Sequence, residues 1–194
     1  MKNSFFALIS RMRYIGRWGL MRNSLPENVQ EHSHMVAVIA HALAVIRRDI
    51  YGGEIDPNVV STVALYHDAS EIFTGDLPTP VKYLNPHISK AYKQVEDAAT
   101  EKLLALLPQK LQASYTPLLT SVCEDVHQLI KAADRLSAYI KCHEELRAGN
   151  NEFRSASVEI LRSIKANPLP ETRYFLEHFI PAFDLSLDEL DLSI

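Results

Sequence analysis

Apolar residues return along this chain at steps of three and four, the spacing of helices that bury one face. Phe5, Leu8, Ile9 and Met12 give a short amphipathic helix over residues 4–15. Asn28, with Glu31 three residues on, forms a capping-box signature that opens a long helix reaching about Ile50. Its stripe is Val29, His32, Val36, Ile39, Leu43, Ile46 and Ile50, with His34 and His41 off it and exposed. Gly52-Gly53 ends that helix, and Asp56-Pro57 starts the next as N-cap and first residue. Val60, Val63, Ala64 and His67 form its inward face.

The segment Thr74–Lys82 breaks this regularity. Pro78 and Pro80 fix their own φ and push the preceding residues out of the helical region, which gives a stiff loop. Helical spacing resumes from Ile88 to Leu107, with Ile88, Tyr92, Val95, Ala99, Leu103 and Leu106 inward. Pro108 closes it, and residues 111–119 make one or two turns. A second long helix runs from Ser121 to about Arg147 on Val122, Val126, Leu129, Ala133, Leu136 and Ile140, and Gly149-Asn150 ends it. Two further helices cover 151–166 and about 170–179, followed by an acidic tail of one helical turn and a frayed end. With no useful run of strand period, the expectation is an all-α single domain over 1–194.

Composition leaves this picture unchanged and narrows the function. A 194-residue chain that is 47% hydrophobic and 23% charged buries a core without disulfides. Its net charge of −4 gives no global basic surface for nucleic acid polymers or anionic membranes. Cys123 and Cys142, the two cysteines, have no metal or disulfide spacing. The run Phe5–Ile9 is too short for a signal peptide and is followed by Arg11 and Arg13, and no stretch approaches a membrane span. We therefore expect a cytoplasmic protein. There is no P-loop and no dinucleotide-binding glycine fingerprint.

The chemistry gathers at Tyr66-His67-Asp68-Ala69-Ser70-Glu71. An adjacent His-Asp pair offers a nitrogen and an oxygen to a borderline-hard divalent metal, and Glu71 follows Asp68 by three. Singly, His32 reads as a core histidine satisfied by a neighbour, and Asp134 as an edge aspartate that costs stability unless paired or metal-bound. Jointly, two histidines and two carboxylates from three helices suit Mn, Co, Fe or Zn.

The order His32…His67-Asp68…Asp134 resembles that of the HD-domain metal-dependent phosphohydrolases. Arg17-Trp18, Gly75–Lys82, Glu144-Glu145-Leu146 and Ala148–Phe153 narrow the likeness to the bacterial 5′-deoxynucleotidase branch. That resemblance implies an HD-type helical bundle with its metal core at about 28–148, and helices of 151–194 that pack on it or make dimer contacts. It implies a homodimer that hydrolyses deoxyribonucleoside 5′-monophosphates with one divalent ion, Co²⁺ or Mn²⁺ ahead of Zn²⁺, Fe²⁺ or Mg²⁺. His32, His67, Asp68 and Asp134 would be the ligands, and Glu71 would orient water or handle its proton. Arg17 would grip phosphate, Trp18 would wall off a 2′-hydroxyl, and Asp76 would accept from the 3′-hydroxyl. Thr79, Pro80 and Lys82 would complete the substrate contacts, Lys82 by adding positive charge. The rivals are an HD phosphohydrolase for a triphosphate, cyclic nucleotide or alarmone, and a non-catalytic metal-stabilised scaffold.

Overall fold

The capping box expected at Asn28 forms, because the Asn28 side chain accepts from Glu31 N at 3.0 Å while the Glu31 carboxylate accepts from Asn28 N. It satisfies donors that would otherwise be orphaned at the start of the long helix. In the computed structural model, which describes residues 3–82, 84–120 and 122–190, ten α-helices follow in order. They are α1 (Phe5–Ile9), α2 (Val29–Asp49), α3 (Pro57–Ala64), α4 (Glu71–Thr74), α5 (Thr79–Lys82), α6 (Pro86–Ala105), α7 (Gln109–Leu119), α8 (Glu124–Arg147), α9 (Arg154–Lys165) and α10 (Pro170–His178). Short 3₁₀ segments sit at Ser10–Tyr14, Asn151–Phe153 and Ile180–Asp184. The described residues hold no strand, only one isolated antiparallel bridge between Gly16 and Asn28. The all-α class is as the periodicity predicts.

Helix α2 packs between α3 and α8, with α9 against α8 and α10 against α2. Its stripe from Val29 through Ile46 is buried, His32 included, and from Val36 onward it joins Val60, Ala64, Leu129, Ala133 and Leu136 in the main core. Ile50 corrects the expected stripe. It lies one residue past the end of α2 and is 49% exposed. A second cluster gathers Phe5, Ala69, Leu103 and Leu107, with Tyr66, Ile72, Tyr115 and Leu119 partly buried against it. It ties α1, α6 and α7 to the segment that carries the His-Asp pair.

Three further expectations change. Val95, expected inward, is 53% exposed, because α6 buries only Ala99 and Leu103, in its C-terminal half. Residues 109–119 form one continuous helix, longer than the one or two turns expected. Its Pro117 lies in the last turn and forfeits the bond that an N–H there would make to Ala113 O, so the break falls close to the helix end. The loop Thr74–Lys82 is only partly irregular: Thr79–Lys82 close a helical turn, with Val81 N and Lys82 N donating to Pro78 O at 2.8 and 3.0 Å. Pro80 is tolerated there because a first-turn residue has no intrahelical donor to lose. The second long helix is observed from Glu124, and its expected start at Ser121 lies outside the described residues, as does the tail from 191.

The loop 16–28 matters for the site, and α8 holds it. Glu145 is fully buried. Its carboxylate accepts from Ser24 N and Leu25 N, each at 2.9 Å, from Asn150 Nδ2 at 2.8 Å, and from the Lys141 ammonium. Lys141 also donates to Leu25 O. Burial pushes the Glu145 pKa up, but the Lys141 hydrogen bond and the three N–H donors outweigh it and hold the carboxyl at about 2. Because the folded-state pKa is depressed, this network's stabilisation is complete above the unfolded value near 4.5. It is lost as pH falls from there through about 2. Glu145→Gln, which strands the Lys141 charge, is expected to cost about 3–5 kcal/mol in chemical denaturation at pH 7. The variant should also lack the part of the wild-type loss of Tm that falls within that acid window.

Candidate active site

Helix α3 stops at Ala64, and the His-Asp pair stands in the tight turn that follows. Successive i→i+3 bonds (Tyr66 N to Val63 O, Ala69 N to Tyr66 O, Glu71 N to Asp68 O) wind this segment more tightly than an α-helix. Residues three apart eclipse one another in such a turn, so Asp68 and Glu71 share a side. Buried Ala69 pins the turn to the second core.

His67 Nδ1 lies 2.8 Å from Ala64 O. A carbonyl only accepts, so Nδ1 carries a proton, and Nε2 is the ring nitrogen that faces inward. That Nε2 is buried and has no hydrogen-bond partner, although Asp68 Oδ2 lies 3.0 Å away. His32 reaches the same place from α2. Its Nε2 is 3.8 Å from Asp68 Oδ2 and 3.0 Å from Asp134 Oδ1, and its Nδ1 faces Ser137 Oγ at 3.2 Å. His32, His67 and Asp68 each offer a ligand atom, all within 4.8 Å of one another. Asp134, from α8, joins through His32, and its side chain is 44% exposed.

The electrostatics show a surplus of carboxylates. Asp68 must overcome its burial, and His67, His32 and Arg17 do so, holding it well below the usual carboxylate range. Asp134 is also lowered, by His32 against burial. Burial opposes charge on His67, yet Asp68 raises that imidazole to about 9. Glu71 is nearly fully buried, with Oε2 unpartnered. Burial, then Asp68 and Asp76, push it up to about 9. Asp76 is raised as well, by burial and by Asp68, with Arg17 and the Trp18 backbone N–H opposing. A buried ring nitrogen without a hydrogen bond, close to a carboxylate oxygen and ringed by carboxyls that crowd one another, fits a divalent cation with mixed N/O ligands.

Arg17 spans the carboxylates, with Nη1 3.6 Å from Asp68 Oδ2 and 3.9 Å from Asp76 Oδ1. Trp18 packs its ring on buried Phe153, centroids 5.3 Å apart. Gly75, at φ +71°, makes the corner leading into Asp76, and Tyr92 Oη donates to Thr74 Oγ1 at 3.2 Å. Thr79 and Pro80 are exposed on α5. Lys82 reaches Glu96 Oε1 at 2.8 Å and lies over the Tyr92 ring.

Sequence reasoning passed over Glu27 and Ser137. Ser137 had a signal, being one turn beyond Asp134 on the buried side of α8. Glu27, between Pro26 and the capping box, had none. In the sequence Glu145 carries only the family likeness, and its role in anchoring the loop emerges from the fold.

A family profile described as 5′-deoxynucleotidase YfbR-like matches residues 4–183. A 5′-deoxynucleotidase of Vibrio parahaemolyticus is 50% identical over 193 residues, covering 98% of this chain and all of the relative. One from Escherichia coli is 49% identical over 193 residues, covering 98% and 97% of the two chains. Among solved structures, an HD-domain phosphohydrolase of Listeria innocua is 26% identical, with a TM-score of 0.81 over 93% of this chain and 88% of that one.

Proposed function

The chain belongs to the 5′-deoxynucleotidase YfbR-like family, an enzyme family, and from that premise we propose how its own residues hydrolyse deoxyribonucleoside 5′-monophosphates to deoxyribonucleoside and orthophosphate. In this reading His32, His67, Asp68 and Asp134 hold one divalent cation. The observation that carries it is the meeting of His32, His67 and Asp68 within 4.8 Å, with His67 Nε2 buried and without a hydrogen bond 3.0 Å from Asp68 Oδ2. Two acceptors that close repel unless a cation or a proton lies between them. The Nδ1 bond to Ala64 O leaves Nε2 as the ring nitrogen that a cation would take, displacing any proton held there. The cation, when bound, polarises the phosphoryl group and acidifies water.

The remaining roles belong to side chains. Glu71 takes a proton from the attacking water as the water oxygen bonds to phosphorus and the P–O5′ bond breaks, and that proton is returned to O5′, which leaves as the 5′-hydroxyl of the deoxyribonucleoside. Arg17, now lying between Asp68 and Asp76, turns its guanidinium to the phosphate. Trp18 closes the sugar side against a 2′-hydroxyl, and Asp76 accepts from the 3′-hydroxyl. Thr79 and Pro80 border the substrate, and Lys82 adds positive charge near it. The finer reading keeps Co²⁺ or Mn²⁺ ahead of Zn²⁺, Fe²⁺ and Mg²⁺. It also keeps one HD-type domain over 1–194 with C-terminal helices available for dimer contacts, and a homodimer in the cytoplasm. No helix among the described residues is long and apolar enough to cross a membrane.

The test measures orthophosphate released from dTMP, TMP and dTTP. EDTA is expected to abolish release, and Co²⁺ or Mn²⁺ to restore it. dTMP should exceed TMP by about 100-fold in kcat/KM, the scale on which an apolar wall rejects an added hydroxyl. Full activity in EDTA would overturn the cation reading. Pyrophosphate or triphosphate from dTTP as the main product would overturn the substrate.

A further inference from the structure

We infer that Glu27 is a positioning residue that sets Arg17 and Trp18 together, and so couples the phosphate grip to the exclusion of ribose. One oxygen does both: Oε2 accepts from Arg17 Nε at 3.1 Å and from Trp18 Nε1 at 3.0 Å. The other oxygen, Oε1, lies 4.0 Å from His32 Nδ1, so the carboxylate reaches from the loop to the back of the cluster. The backbone fixes the partners in register, with Arg17 N donating to Glu27 O and Val29 N to Ile15 O, both at 2.9 Å, around the Gly16–Asn28 bridge.

The indole needs such a hold. Trp18 is the one non-glycine described residue with positive φ, at +60°. A bulky side chain stays in the left-handed region only where its surroundings over-determine it. Phe153 backs the ring, and Glu27 fixes its N–H. The guanidinium is likewise left with Nη1 directed at Asp68 and Asp76 because its Nε is engaged by Glu27. This role rests on the reading that Arg17 faces phosphate and Trp18 faces the sugar.

The experiment measures kcat/KM for dTMP and TMP in Glu27→Ala, Glu27→Gln, Trp18→Ala and Glu27→Ala/Trp18→Ala, with Tm for each. Trp18 is the single tryptophan, so its emission reports its own surroundings. Glu27→Ala is expected to lower the dTMP-to-TMP ratio about tenfold, within the range that misplacement by an ångström produces. Its emission should shift in parallel. Glu27→Gln, which keeps one acceptor oxygen, should lose less on both measures, and it supplies the comparison if the alanine variant does not fold. The double variant should fall no further in ratio than Trp18→Ala alone, because the two residues act as one unit. A merely structural Glu27 would lower both substrates equally and leave the ratio unchanged. That outcome, with Trp18→Ala still lowering the ratio, overturns the inference alone. An unchanged ratio in Trp18→Ala overturns the sugar-wall reading, and the role of Glu27 with it.

Discussion

Asp68→Asn is expected to reduce phosphate release by about 10³-fold or more while the chain stays folded. Asp68 is the hub of the cluster, its Oδ2 lying 3.0 Å from His67 Nε2, 3.8 Å from His32 Nε2 and 3.6 Å from Arg17 Nη1. Asparagine keeps the shape and removes the charge. Its amide presents either a neutral oxygen or an N–H to a site that gathers lone pairs, and an N–H excludes a cation. Removal of a single preorganised electrostatic group already costs about 10²–10³ in rate, and here the cation's hold is weakened as well. The fold should survive because Asp68 belongs to neither apolar cluster, while the turn is fixed by its backbone bonds and by Ala69. The check pairs the rate with bound metal per chain, from elemental analysis, and with Tm. A variant with wild-type metal content and near wild-type rate would remove Asp68 from the site.

Glu71→Gln should separate chemistry from binding. The expected result is a kcat lower by about 10²–10³-fold, with KM for dTMP within a few fold and metal content unchanged. Glu71 is buried 7% exposed, one carboxylate oxygen is unpartnered, and it shares a side with Asp68 without being one of the proposed ligands. In the metal-free chain, burial first and then Asp68 and Asp76 push its carboxyl up to about 9, so near neutrality it carries a proton. A base must give that proton up before it can act, and a cation at the cluster moves the ionisation downward. The sign follows: the rate of metal-loaded wild type rises with pH through this ionisation, and Glu71→Gln lacks that rise. Equal loss of metal and rate in Glu71→Gln would instead make Glu71 a ligand.

Much of the scaffold was open to reading because local rules and the tertiary fold agree. The Asn28 capping box, the Asp56-Pro57 start and the α2 stripe depend on residues within a turn or two of each other. Burial of His32 followed from its place on that stripe, since a helix that buries Val29 and Val36 on one face carries His32 inward with them. The stripe failed at Ile50, one residue past the end of α2, and at Val95 on α6, both of which stay exposed. Periodicity states which residues share a face, and the neighbouring elements decide how much of that face is covered.

Residue types and order along the chain determined an all-helical fold and a donor set suited to a divalent cation. Only the tertiary structure decided what meets what. The approach of His32 on α2 to the turn holding His67 and Asp68, and to Asp134 on α8, is a matter of helix packing. So is the anchoring of loop 16–28 by Glu145, 120 residues away from Leu25 in sequence. Glu27 was illegible for the same reason. Its partners are reached through a reversal of the chain, and a carboxylate ten residues from a guanidinium has no periodicity to reveal it. Side-chain patterns encode the faces of helices because they are local, whereas a site assembled across helices and loops depends on distances that exist only once the core has closed.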